Sequence, residues 1–138
     1  MDDIRFRAWI PETEKMGEVV AMDWNDSQII TCHIDINGTV DKYYPNYNGF
    51  GDAITFLRFT GLRDKDNKMI YEGDILRIIT FGFDSEKMVT NVLYSNGQFR
   101  LANGRNMFYF GQSDMTKMDD AIVIGNIFEN ADLIVLKN

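Results

Sequence analysis

The 138-residue chain has one cysteine, one histidine and two prolines. With Cys32 alone, no internal disulfide can form, which fits a reducing compartment. With His33 alone, a zinc cluster of His and Cys ligands is not available, nor is a His-based triad, since no Gly-x-Ser-x-Gly elbow is present. No run of about 18 apolar residues occurs, so no membrane-spanning helix is expected. The start, Met1-Asp2-Asp3-Ile4-Arg5, lacks the apolar core of a signal peptide, and a cytoplasmic location follows as the expectation. Long runs of helix formers are also missing. Neither phosphate-binding glycine motif is present, neither Gly-x-x-x-x-Gly-Lys-Ser/Thr nor Gly-x-Gly-x-x-Gly.

Basic charge is scarce, and unevenly so. The net charge is −7; residues 1–57 carry ten acids against four bases, and residues 58–138 eleven against ten. A polyanion is repelled by the first part and tolerated at best by the second, which leaves room only for a local basic patch.

What the chain does have is β-branched and aromatic residues in short runs punctuated by turn residues. Phe59-Thr60-Gly61-Leu62-Arg63-Asp64-Lys65-Asp66-Asn67-Lys68-Met69-Ile70-Tyr71-Glu72-Gly73-Asp74-Ile75-Leu76 is the most informative stretch. Two apolar extended pieces flank a charged turn, and a second turn opens a new strand. Gly61, Asp64, Asn67, Gly73 and Asp74 are read as its structural turn residues, with Gly73 at positive φ.

In chain order, Arg5–Trp9 alternates as a half-buried strand, with Phe6 and Ala8 on one face. Pro11–Lys15 is a turn. Met16–Trp24 is extended, with Val20, Met22 and Trp24 on one side. Gln28–Ile36 is a strand, Asn37-Gly38 a type I′ hairpin turn, and Thr39–Tyr43 the return. Residues 43–51 are loop-like. Asp52 can cap a helical turn, but the following β-branched run favours a strand from about Thr55. Beyond Gly73, strands are expected over Ile75–Phe81, Lys87–Tyr94, Gln98–Ala102 and Ala121–Phe128, with an Asn96-Gly97 turn. Met107–Phe110 is a short strand or aromatic plug, and Gln112–Asp120 a polar loop in which Asp114–Met118 can make one helical turn. Gly125 signals a bulge or close backbone approach, and Glu129–Leu133 a 3₁₀ turn. The sum is a mostly β protein (α+β at most): a β-rich portion at residues 1–58, then the hairpin joint and a small SH3-like barrel at 59–138. One core shared by the two portions is compatible with this division.

Three segments carry a family resemblance: Arg5-Phe6-Arg7-Ala8-Trp9 with Met16; Phe59–Lys65 through Ile70–Ile75; and Val123-Ile124-Gly125-Asn126-Ile127-Phe128-Glu129-Asn130. Together they resemble the YopX family of small proteins encoded by phages and prophages. Arg58 replaces a usual Gln, Asn67 a usual Gly, and Ala131-Asp132 a usual Pro followed by Glu. Asn tolerates left-handed φ, so the turn at Asn67 is expected to survive. The resemblance implies an N-terminal β-rich portion and an SH3-like barrel. It implies no catalytic or binding residue.

Candidate chemistry is thin. Cys32 and His33 are adjacent, and adjacent strand residues point to opposite faces, so they do not form a catalytic pair. Asp64, Asp66, Glu72 and Asp74 invite a calcium reading. Counted from Asp64, however, an EF-hand loop finds Lys68 at position five and Met69 where Gly is required. Turn capping by these carboxylates is the better reading. Glu72 and Asp74 flank one glycine, and nothing sets them across a cleft. No catalytic, metal-binding or cofactor-binding residue is assigned. Two functional readings result. The first is a non-enzymatic interaction module with a protein partner. The second is a nucleic-acid-associated regulator using the basic-aromatic stretch 98–111, with Arg100, Arg105, Phe108 and Tyr109 as contacts. Exposed strand edges also make a homo-oligomer an expectation.

Overall fold

The structure is a computed structural model in which residues 5–24, 30–45, 51–79, 87–102 and 116–135 are described. It is mostly β, built of two antiparallel sheets. The strands are β1 Phe6–Ile10, β2 Lys15–Trp24, β3 Ile30–Ile36, β4 Thr39–Tyr43, β5 Thr55–Arg63, β6 Met69–Tyr71, β7 Asp74–Ile79, β8 Lys87–Ser95, β9 Gln98–Leu101 and β10 Ala121–Asn126. One helical turn, α1, spans Asp132–Val135. The chain forms two compact units, Ile4–Arg58 and Phe59–Asn138 with Met1–Asp3.

In the first unit the strand order is β4-β3-β2-β1, continued by the start of β5. Two tight reversals set it up. Glu14 takes φ 53° after Pro11, and the β3–β4 turn has Asn37 at φ 53° and Gly38 at φ 91°. Two positive φ values in a row are what a type I′ turn requires. Asp35 strengthens this turn, because its Oδ1 accepts the Gly38 N–H at 2.8 Å. The core is small: Ala8, Ile10, Cys32 and Ile34, with Val19, Met22, Ile36, Tyr43, Ile54 and Phe56 packed partly against it.

One face assignment is corrected. Strict alternation puts Val20 with Met22, but the β2–β3 register shifts between Val19 and Ala21. The bulge changes the phase of the strand, so Val19 and Met22 share the core side and Val20 is 50% exposed. The side chain of Gly17 is absent for a reason. A Cβ there would sit 2.5 Å from Ile34 Cγ2 and 2.8 Å from the Asp35 carbonyl oxygen.

In the second unit the end of β5 pairs with β6, and β10-β7-β8-β9 form a sheet. The core gathers Leu62, Ile70, Leu76, Ile78, Val92, Leu101, Met118 and Ala121. The β8–β9 turn has Asn96 at φ 53° and Gly97 at φ 77°. Among the described residues the four-stranded sheet ends at β10 and β9 and does not close on itself. Met107–Phe110, expected as a short strand or aromatic plug, lies outside the described residues.

Two local expectations change, while that at Gly125 holds. Of Asp114–Met118, expected as one helical turn, Asp114 and Met115 lie outside the described residues, and Lys117 forms a parallel bridge with Arg63. Met118 in that polar segment is fully buried. The last turn is α-helical over Asp132–Val135, downstream of the expected 3₁₀ turn at Glu129–Leu133. Gly125 sits at a β7–β10 register shift, and a Cβ there would meet Asn130 Oδ1 at 2.5 Å.

Candidate functional site

The charged stretch between β5 and β6 is organised by one carboxylate. Asp64 is 1% exposed. Its Oδ1 accepts the N–H groups of Asp66 at 2.9 Å and Lys68 at 2.8 Å. Its Oδ2 accepts the Val123 N–H at 2.9 Å, from a strand 59 residues away in sequence. The surrounding backbone is stitched too. Arg63 N–H donates to Thr116, Met118 N–H to Arg63, and Lys65 N–H to Ala121, each at 2.8 Å. Asn67 N–H donates to the Asp64 carbonyl at 2.9 Å, and Asn67 holds φ 70°. Asp66 is exposed and contributes its backbone N–H. A carboxylate that already accepts three backbone N–H groups has little lone-pair capacity left for a ligand or a proton in transit.

Gly61 was grouped with the turn, yet it lies inside β5. With φ 86° it sits where the β5–β6 register shifts between Phe59 and Arg63, so it makes a bulge while Asp64–Lys68 makes the reversal. The second turn, Tyr71-Glu72-Gly73-Asp74, is held by fully buried Asp74, whose Oδ2 accepts Tyr71 N–H at 2.8 Å. Gly73 has φ 89°; its N–H donates to Val92 and its carbonyl accepts from Ile127, both at 2.9 Å. A Cβ on Gly73 would meet Phe128 Cε2 at 3.1 Å.

A third polar anchor escaped the reading of the sequence. Asn126 ends β10: its Oδ1 accepts Phe128 N–H at 3.0 Å and Glu129 N–H at 2.9 Å, and its Nδ2 donates to Glu129 Oε1 at 2.8 Å. The signal was present as Asn126-x-x-Glu129, the spacing of a capping box.

Cys32 and His33 point to opposite sides of β3. Cys32 is fully buried, while His33 Nε2 lies 3.6 Å from Asp23 Oδ2 at the surface. Burial pushes the Cys32 thiol up, with Asp52 adding to the shift, so the nucleophilic thiolate is disfavoured. Burial likewise raises Tyr43, helped by the charges of Asp41 and Asp52 and by Cys32. Among the described residues no group of three or more His, Cys, Asp or Glu side chains is arranged to hold a metal ion. No described helix is long and apolar enough to cross a membrane.

For the basic-aromatic stretch, the structure separates what the sequence interleaves. Arg100 faces Leu93 on one side of the sheet; Phe99 faces Tyr94 on the other, with ring centroids 4.9 Å apart. Arg105, Phe108 and Tyr109 lie outside the described residues. Arg77, opposite Val89 on β7, shares the Arg100 face and was not singled out by the sequence. Both arginines are exposed, and the described strand positions on that face carry no acid.

Compared with known proteins, residues 5–135 match the family described as YopX protein. A solved structure, that of protein EF1440 from Enterococcus faecalis, superposes with a TM-score of 0.60 at 24% identity, covering 97% of this chain and 99% of that one. No curated protein matches.

Proposed function

Because the chain belongs to the YopX family, we propose that it is a non-enzymatic interaction module of phage or prophage origin, acting in the host cytoplasm. The observation that carries the reading is the fate of its most reactive-looking groups. Asp64 and Asp74 are buried and accept backbone N–H groups, and Cys32 is buried with its thiol pushed up. Groups committed to the fold are poor acids, bases or ligands. Exposed Val20, Val40, Leu93 and Tyr94 on the strands, and Tyr44 just after β4, supply apolar contact instead. The SH3-like barrel of the second unit belongs to the same reading, supported by the β7-β8-β9 hairpin succession and by β10 returning beside β7. A second unit in which no further strands pack across the core from the β10-β7-β8-β9 sheet contradicts that part.

The test is affinity capture with the tagged chain from prophage-carrying cells, followed by calorimetric titration of each captured protein in purified form. Saturable binding of one of them is expected. Absence of saturable binding for all of them, or turnover of a substrate by the purified chain, contradicts the proposal.

A second reading, a nucleic-acid-associated regulator, draws support from the acid-free face carrying Arg77 and Arg100. Gel-shift titration with single- and double-stranded DNA and with RNA at low salt tests it. Binding that weakens in an Arg77→Ala/Arg100→Ala double variant, and that falls steeply with salt, supports it. No shift at micromolar protein removes it.

A further inference from the structure

Among the described residues, β4, β6, β9 and β10 are outermost strands; Asp64 and Lys65 occupy the β10 edge and β6 has three residues, which leaves the β4 and β9 edges for comparison. Such an edge presents unpaired backbone donors and acceptors to a further strand. Which groups point outward follows from the ladder. Ala102 N–H donates to Asn91 at 2.8 Å, so Asn91 and Ala102 form a hydrogen-bonded pair. Hydrogen-bonded and non-bonded pairs alternate along an antiparallel ladder. Leu93–Arg100 and Ser95–Gln98 are therefore bonded pairs, while Tyr94–Phe99 and Val92–Leu101 are not. Phe99 and Leu101 thus turn their N–H and C=O groups away from β8.

That pattern is self-complementary. Two β9 strands placed antiparallel about a two-fold axis at Phe99 pair Phe99 with Phe99 of the second copy through two reciprocal N–H···O bonds. Leu101 then meets the second copy's Gly97. On one face, Gln98, whose Oε1 accepts from Arg100 Nε at 3.4 Å and Nη2 at 3.3 Å within its own strand, stands opposite the second copy's Arg100 in both halves, so no like charges are set against each other by that pair. On the other face the Tyr94–Phe99 ring pair of each copy meets the other, joining four rings across the axis. The alternative register centred on Arg100 sets two guanidinium groups against each other.

The β4 edge is less suited. Its outward groups belong to Val40 and Lys42, since the Asn37-Gly38 turn makes Ile36–Thr39 a bonded pair. Registers centred on Asp41 or Lys42 oppose like charges. The register centred on Val40 brings together two copies of residues 1–57, each carrying ten acids and four bases. Residues 58–138, with eleven acids and ten bases, carry no such penalty.

We propose that the β9 edge is a self-association surface, pairing with β9 of a second copy about a two-fold axis at Phe99 to make one continuous sheet. The proposal rests on reading the chain as an interaction module and names one partner, the chain itself. A strand of this length makes a small interface, so the dimer is weak and concentration-dependent.

Sedimentation velocity on the purified full chain, from roughly 10 µM to 1 mM, is the test, a range chosen for a weak dimer. A monomer–dimer equilibrium is expected. Gln98→Lys places a lysine opposite Arg100 twice and should weaken dimerisation about tenfold; Gln98→Glu should strengthen it several-fold, at ordinary cross-strand pair strengths. Gln98 is exposed, and far-UV circular dichroism of each variant checks that the fold is kept. Hydrogen exchange should show the Phe99 amide gaining protection with concentration, and the Val40 amide not. A chain that stays monomeric at the highest concentration overturns the proposal. So does a dimer that ignores both Gln98 variants and is lost in Val40→Lys, or a Phe99 amide already protected in dilute solution. These measurements use no other protein, so their failure leaves the capture experiment above standing.

Discussion

In the first unit Thr31 is the buried polar residue among those described; the second unit buries Thr60, Asp64, Asp74, Thr90 and Asn126. Both units are antiparallel and both use Asn-Gly hairpins. They differ in what holds non-neighbouring segments together. In the first unit the ladders, the Asn37-Gly38 turn and a small apolar core hold the consecutive strands β1 to β4 and also the long-range pairing of β1 with the start of β5. In the second unit β10 returns across a long gap to lie beside β7, and side-chain acceptors bind the segments that this return brings together. Local order comes from turn chemistry; in the second unit the return of β10 is held by its ladder with β7 and by Asp64, which accepts the Val123 N–H.

That contrast can be broken most severely at Asp64. Asp64→Ala removes three acceptor contacts and leaves three part-buried N–H groups without that partner, for an expected loss of roughly 2–4 kcal/mol in chemical denaturation. Next comes Gly73→Val. It forces a β-branched residue to φ 89° and against Phe128, which should cost roughly 2–4 kcal/mol by the same measurement. Loss of a melting-temperature difference between wild type and Gly73→Val would show that the turn has another geometry.

In the first unit the largest single effect belongs to Gly17→Val, where Ile34 and the Asp35 carbonyl leave no room. Roughly 1–3 kcal/mol is expected, with the loss read from amide exchange in β2 and β3. A smaller effect is expected at Cys32. Its thiol is raised in the folded state, so the folded chain holds that proton more tightly than the unfolded chain. The stabilisation is present below the ordinary thiol range and is lost as pH rises through the raised value. Thermal melts above pH 9 or so, beyond the ordinary thiol value, should therefore fall faster for the wild type than for Cys32→Ala. Parallel curves for the two proteins would contradict the assignment.

The sequence displays the locally determined parts of this architecture. Asn37-Gly38, Asn96-Gly97 and the strands around them can be read from propensity and turn chemistry, since all the interacting atoms lie within a few residues. The face of Val20 could not, because a bulge in the β2–β3 ladder depends on the partner strand. Met118 reads as part of a polar loop, yet the Arg63 bridge draws it into the core. Asp64 shows the division within one side chain. Its bonds to Asp66 and Lys68 are legible as turn capping, whereas its bond to Val123 depends on where β10 returns. Within the basic-aromatic stretch, strand alternation decides which side chains share a face. Phe99 and Arg100 are neighbours in sequence and therefore on opposite faces of β9.

The central claim is that the charged stretch between β5 and β6 serves the fold, through Asp64, rather than a chemistry. Amide hydrogen exchange at Val123 in Asp64→Ala, against wild type, tests it most directly. The predicted result is loss of protection at Val123, Asp66 and Lys68, spreading through β10, while β2 and β3 keep theirs. Unchanged protection at Val123, in a variant that melts with the wild type, would contradict it.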